Sequence, residues 1–281
     1  MKKYYQLTKP GIIFGNAVTA IAGFALASRG HFNISLFVTT LVGLSCVIAS
    51  ACVCNNYIDR EMDGKMVRTK NRPLVKGEIS TISAFVFAAV LLLLGISMLV
   101  LYANLLTALM ALAGFSVYVF IYSPWKYRSW HATLIGSIAG GMPPVVGYCA
   151  VSNTFDLGAF LLFSIVVLWQ MPHFFAIAMY RMNDYVAASI PVLPIVRGSQ
   201  MAKIQILLYM VAFCVAALLL TFFGFTGYAY LVATSVLSLA WLWKGLKGFK
   251  ATSDKLWARK VFLHSLVVIT GLSVMIFVDR F

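Results

Sequence analysis

Residues 54–77 read CNNYIDREMDGKMVRTKNRPLVKG, and the placement of this stretch decides the fold. It holds three of the chain's eight acidic residues and six of its twenty-two basic ones, between apolar runs at about 34–58 and 82–102. Runs of that kind cross a bilayer as helices, which takes about 20 residues each. The charged stretch is therefore the connection between two membrane spans and begins in the last turn of the first. Asn55, Asp59 and Asp63 recur every fourth residue, so on a helix they share one face at steps of about 6 Å. Two carboxylates so placed repel each other, and Arg60, Lys65, Arg68, Lys70 and Arg72 crowd the same segment. A divalent cation carrying a phosphorylated ligand explains that combination better than packing does. Mg2+ fits best, because it takes one or two carboxylates and leaves its other positions to water and phosphate oxygens.

Outside this stretch the chain is mostly apolar. With 281 residues, 62% hydrophobic and 11% charged, and a mean hydropathy of +0.91, a soluble globule with one dry core is excluded. Spans are predicted at approximately 11–28, 34–58, 82–102, 104–122, 131–151, 157–180, 202–223, 225–243 and 260–278. The expected class is all-α: an integral membrane bundle of nine transmembrane helices, N-terminus cytoplasmic and C-terminus on the opposite side. Lys and Arg support that count. Twenty of the twenty-two fall in segments 2–9, 60–76, 126–128, 181–203 and 244–260, all on the cytoplasmic side, leaving Arg29 and Arg280 opposite. The net charge of +14 is thus mostly topology. Because the bases are dispersed over five segments, nucleic acid is not an expected partner. The basic start followed by an apolar run resembles a signal peptide, but the run is of full spanning length and reads as an uncleaved first helix. Cys46, Cys52, Cys54, Cys149 and Cys214 lack metal-ligand spacing and read as small buried hydrophobes.

Further features follow along the chain. Lys9-Pro10-Gly11 is a plausible helix start, Asn16 and Asn104 are lone polar groups in or beside spans, and Pro124 ends the fourth span. GSIAGGMPPVVG in the fifth span predicts a broken or kinked helix packed closely on a neighbour. WKGLKGFKATSDKLWARK, between the last two spans, reads as a positive-inside loop. Arg60, Asp63, Pro73, Val75 and Gly77 recur at a constant offset of 121 as Arg181, Asp184, Pro194, Val196 and Gly198. Both copies follow even-numbered spans. This implies one domain over 1–281 built from a parallel repeat, helices 1–4 and 5–8, plus a ninth, with two similar loops on one membrane face.

Acidic groups near a membrane span need partners or a purpose. One reading pairs Asp59, Asp63 and Asp184 with Arg60 and Arg181 as ion pairs. The functional reading assigns Asn55, Asp59 and Asp63 to one Mg2+ and Asp184 to a second ion or its bound water. Lys65, Arg68, Arg72, Lys126, Arg128 and Arg181 then converge on diphosphate oxygens, Arg by bidentate forks and Lys as point charges. Asp59, Asp63, Asp184 and Arg181 form the expected catalytic set, and Asp184→Ala is expected to damage diphosphate binding much as Asp63→Ala does. The chemistry this serves is departure of diphosphate from an allylic carbon in a dry pocket. Tyr57, Tyr118, Tyr122, Phe174 and Phe175 are within sequence reach to face the cation so formed, or are plain packing. His173, in Trp169-Gln170-Met171-Pro172-His173, is either a hydrogen-bonded core group or a contact to ligand or substrate.

At these residues the chain resembles the membrane prenyltransferases of the UbiA superfamily, whose first signature matches Asn55-x-x-x-Asp59-x-x-x-Asp63. NNYIDREMDGKMVRTKNRPLVKG, IGSIAGGMPPVVGYCA, LWQMPHFFAIAMYRMNDY and IPVLPIVRG look most like the members that modify heme, and the likeness covers essentially the whole chain. It implies farnesyl transfer from farnesyl diphosphate to a vinyl group of heme B, with water adding to give heme O. It also implies Mg2+ as cofactor, a bacterial-type inner membrane with the site toward the cytoplasm, and His173 as a candidate heme contact. A heme-copper oxidase or a heme A synthase would then act downstream. Many superfamily members carry a second Asp-x-x-x-Asp; here Asp184 is followed four residues later by Ala188, which leaves a second Mg2+ without a full ligand set. The alternatives are prenylation of a quinone precursor or another aromatic ring, and a membrane transporter whose acidic loops bind ions.

Overall fold

A computed structural model describes residues 2–279. Among them, nine helices are long and apolar enough to cross a membrane: α1 (Pro10–Ser28), α2 (Ile34–Ile58), α3 (Thr81–Tyr102), α4 (Leu105–Trp125), α5 (Ala132–Ser152), α6 (Leu157–Tyr180), α7 (Gly198–Phe222), α8 (Tyr228–Lys250) and α9 (Asp254–Val278). The all-α expectation and the span count hold. Arg280, expected on the far side, lies outside the described residues.

Boundaries agree closely where polar turns bracket the spans. Asn33, Ser80, Asn104 and Asp156 each cap the helix that follows, their side-chain oxygens accepting from Leu36, Ser83, Thr107 and Gly158 amides at 2.8–3.1 Å. α7 and α9 begin earlier than hydropathy places them. α9 opens at Asp254, which pairs at 2.6 Å with Lys203 in the second turn of α7. Hydropathy marks the apolar part of a helix, whereas the helix runs on into the polar boundary.

Consecutive helices pack as neighbours, and α9 closes the bundle by packing on α6 and α1. Outward faces carry apolar side chains such as Leu93, Phe120 and Phe222, as lipid contact requires. α1 crosses α5 at very short range. A Cβ added at Gly23 would lie 1.9 Å from the Pro144 carbonyl oxygen, and one at Gly147 would lie 2.1 Å from that of Ala20. The expected close approach is therefore observed, but the expected break is not. α5 runs helical through Pro143 and Pro144 without interruption, its backbone held by the neighbours packed on it.

The irregularity lies in α4. Val117–Tyr122 forms a π-helical turn, and the Ser123 amide donates to the Tyr118 carbonyl five residues back. Pro124 has no amide to offer and its ring crowds the preceding turn, which favours a widened turn at this point.

The two echoed loops adopt related shapes. Each opens with a short helix, Arg60–Lys65 or Met182–Ala187, and each contains a left-handed glycine, Gly77 at φ +68° and Gly198 at φ +81°. Met66 of the first packs with Ala188 and Ile190 of the second in one small apolar cluster, so both loops lie at the same end of the bundle.

Candidate active site

The charged stretch prolongs the α2 helix. The Asp59 amide donates to the Asn55 carbonyl at 2.9 Å, and the Asp63 amide to the Asp59 carbonyl at 2.8 Å. Asn55, Asp59 and Asp63 thus remain one turn apart on one face. All three are buried, and all three line a single cavity of about 860 Å3.

Their polar atoms are matched with cations. Asp63 pairs with Arg72. Asp59 accepts from Lys126 Nζ at 2.5 Å and from the Tyr127 hydroxyl at 2.6 Å. Asn55 accepts from Lys9 through Oδ1 and donates to Ser123 Oγ at 2.9 Å through Nδ2. The acid–acid repulsion expected from the spacing is offset by these partners, and they are not the ones anticipated. Arg60 turns outward over the Tyr57 ring at 4.8 Å, and Tyr57 itself packs edge-on against Phe85 rather than facing the cavity.

Of the remaining expected residues, Arg68, Arg72, Lys126, Arg181 and His173 also line the cavity. Lys65 and Arg128 are exposed and lie off its wall. Lys65 follows Asp63 by two residues, which puts it on another side of the short helix. Asp184 also lies off the wall, 3.8 Å from Arg181, while its neighbour Tyr185 lines the cavity. The two halves of the echo therefore contribute unequally. Tyr118 and Tyr122 stack at 5.3 Å on the π-helical turn and, with Phe174 and Phe175, present rings to the same space.

Lys9 is the cavity residue that sequence reasoning passed over. It ends the segment before Pro10 in the left-handed conformation, φ 51° and ψ 68°, which is uncommon for a residue with a side chain and arises where surrounding structure over-determines it. Burial pushes its amine down to about 8, with Arg72 and Lys126 acting in the same sense and Asp59 opposing. Burial lowers Lys126 as well, against the pull of Asp59. Only the dipeptide Lys9-Pro10 hinted at a special backbone here.

Two carboxylates and an amide one turn apart, in an apolar cavity also lined by five cations, Lys9, Arg68, Arg72, Lys126 and Arg181, form a donor set suited to Mg2+ and a polyanion. A model of the UbiA prenyltransferase family matches residues 16–267. The chain belongs to the UbiA prenyltransferase family. Within the UbiA family, a protein of Protochlamydia amoebophila named protoheme IX farnesyltransferase is 55% identical over 273 residues, 97% of this chain and 96% of its own length. One of the same name from Cronobacter sakazakii is 54% identical over 280 residues, covering 99% and 95%. A UbiA homologue from Archaeoglobus fulgidus, solved bound to GPP and Mg2+, shares the fold with a TM-score of 0.75 at 14% identity, over 98% of this chain and 99% of that one.

Proposed function

We propose that this chain transfers the farnesyl group of farnesyl diphosphate to a vinyl group of heme B, giving heme O. The observation that carries the reaction class is the acid and cation array of Asp59, Asp63, Arg68, Arg72, Lys126 and Lys9 in a cavity walled by apolar side chains. Heme as acceptor is supported by the relatives that share the whole length of the chain at 54–55% identity.

In this reading Asp59 and Asp63, with Asn55, hold Mg2+, which when bound supplies Lewis-acid stabilisation to the departing diphosphate. Arg68, Arg72, Lys126 and Lys9 donate to diphosphate oxygens as negative charge grows there. Arg72 and Lys126 must loosen from Asp63 and Asp59 to do so, each trading one charged partner for another, and Lys9 leaves the Asn55 amide oxygen. Tyr118, Tyr122 and Phe174 offer ring faces to the allylic cation, and the apolar walls keep bulk water away from it. The C–O bond to diphosphate breaks, the terminal vinyl carbon takes the farnesyl group, and water adds at the inner carbon with loss of a proton. Positive-inside counting supports a cytoplasm-facing site in a bacterial-type inner membrane. The paired loops support one domain of two four-helix halves plus α9. The product would pass to a heme-copper oxidase or a heme A synthase.

The direct test incubates purified protein with Mg2+, farnesyl diphosphate and heme B and weighs the extracted hemes. A mass gain of one farnesyl and one hydroxyl group is expected. Folded protein that yields no such product would overturn the assignment, and preference for a phenolic acceptor would move it to quinone precursors.

Two further results are expected. Lys9 is charged below about pH 8 and loses that charge as pH rises through its lowered pKa, so attraction for the diphosphate falls with rising pH. The KM for farnesyl diphosphate should climb about tenfold between roughly pH 7 and roughly pH 9. In Lys9→Arg the rise should be much smaller, because the guanidinium does not deprotonate; parallel profiles would remove Lys9 from the substrate. Asp184 lies off the cavity wall and pairs with Arg181, which lines it, at 3.8 Å. Asp184→Ala should therefore raise that KM by about threefold, as for a half-exposed pair, and not by the large factor expected of Asp63→Ala. Steady-state kinetics on the two variants side by side decides this.

A further inference from the structure

We propose that Nε2 of His173 is the axial ligand to the iron of the bound heme, held in the ligating tautomer by Ser265. This rests on heme being the acceptor, and the structure supplies the rest.

His173 lies on α6 and lines the cavity, with 8% of its surface exposed. Its Nδ1 is 2.7 Å from Ser265 Oγ on α9. Ser265 Oγ is in turn 2.6 Å from the Phe262 carbonyl oxygen, to which it donates. A carbonyl can only accept, so the serine proton is committed there and Oγ is left to accept from the ring. Nδ1 therefore carries the imidazole proton, and the lone pair is on Nε2. Among the described residues Nε2 has no protein hydrogen-bond partner. Nor is it one of the sealed and unpartnered polar atoms, which belong to Thr40, Thr234, Ser238, His264 and Ser273. The edge of the ring left open is thus the Nε2 edge, facing the cavity.

The ring is also fixed in direction. Trp169 stacks on it at 4.7 Å and 29°, and Phe262 covers it at 5.1 Å. Trp169 donates its own indole N–H to the Ser265 carbonyl at 2.8 Å. His264, by contrast, pairs through Nδ1 with Lys244 and has its other nitrogen sealed in the protein away from the cavity. His173 satisfies one nitrogen and presents the other, the arrangement by which a second-shell oxygen orients a metal-ligating imidazole and raises its basicity.

The test titrates the full-length protein with heme B and with metal-free protoporphyrin IX, and records resonance Raman spectra of the ferrous complex. Wild type should bind heme at least about tenfold more tightly than the metal-free ring and show an iron–histidine stretching band. His173→Ala should lose both the band and the preference for iron, and added imidazole should restore the band. Ser265→Ala should keep the band but move it to lower frequency, because the ring loses the acceptor that makes it more basic. A wild-type complex without the band, a His173→Ala complex that keeps it, or a band unmoved in Ser265→Ala would each overturn the proposal. The Ser265 variant carries the decision if His173→Ala does not accumulate. Heme O formation is assayed on the same samples. Product from wild type without an iron–histidine band sinks the ligand alone, whereas no product from heme-loaded wild type sinks the acceptor reading beneath it.

Discussion

Asp63→Asn and, separately, Asp59→Asn should each lower kcat for farnesyl transfer by about a thousandfold or more. The substitution keeps the shape and one acceptor oxygen while removing the charge, so what is lost is electrostatic. Both side chains are buried, at 2% and 6% exposed, in surroundings where a charge interacts far more strongly than in water. Each also organises a cation: Asp63 holds Arg72, and Asp59 holds Lys126 together with Tyr127. Neutralising one acid therefore weakens the grip on Mg2+ and releases a cation from its aimed position. Removing one partner of a buried ion pair also costs stability. The kinetics must accordingly be read beside a thermal melt and a size-exclusion profile. Folded variant that retains more than about a tenth of wild-type kcat would place the metal and the diphosphate elsewhere.

Gly147→Ala is the second large effect, and it falls on folding. The added Cβ would sit 2.1 Å from the Ala20 carbonyl oxygen and 3.0 Å from the Phe24 amide nitrogen, both backbone atoms of α1 that cannot swing aside. α1 and α5 must separate, which undoes the packing of small residues that holds helices together where no hydrophobic force acts between them. A cost of about 3 kcal/mol is expected, equivalent to a loss of about a hundredfold in the folded fraction. Yield of monodisperse protein in mild detergent, with its melting temperature, measures this. Gly15→Ala, whose Cβ would meet nothing within 4 Å, is the control expected to behave as wild type. An unshifted melt for Gly147→Ala would mean that α1 and α5 do not cross at this distance.

The sequence by itself determined the number of spans, the helical face shared by Asn55, Asp59 and Asp63, and the pairing of two polar loops at one end. These follow from apolar length and four-residue spacing, which are local properties of a chain in a membrane. Only the tertiary structure decided which cations meet those acids. Arg72 and Lys126 reach them while Lys65 and Arg128 do not, because a shift of two residues along a helix or turn redirects a side chain away from the partner. It likewise decided that α5 stays helical through Pro143 and Pro144, that Lys9 turns inward from a left-handed backbone, and that Ser265, 92 residues away, fixes the ring of His173. Each of these depends on what another helix places opposite, and no local pattern carries that information.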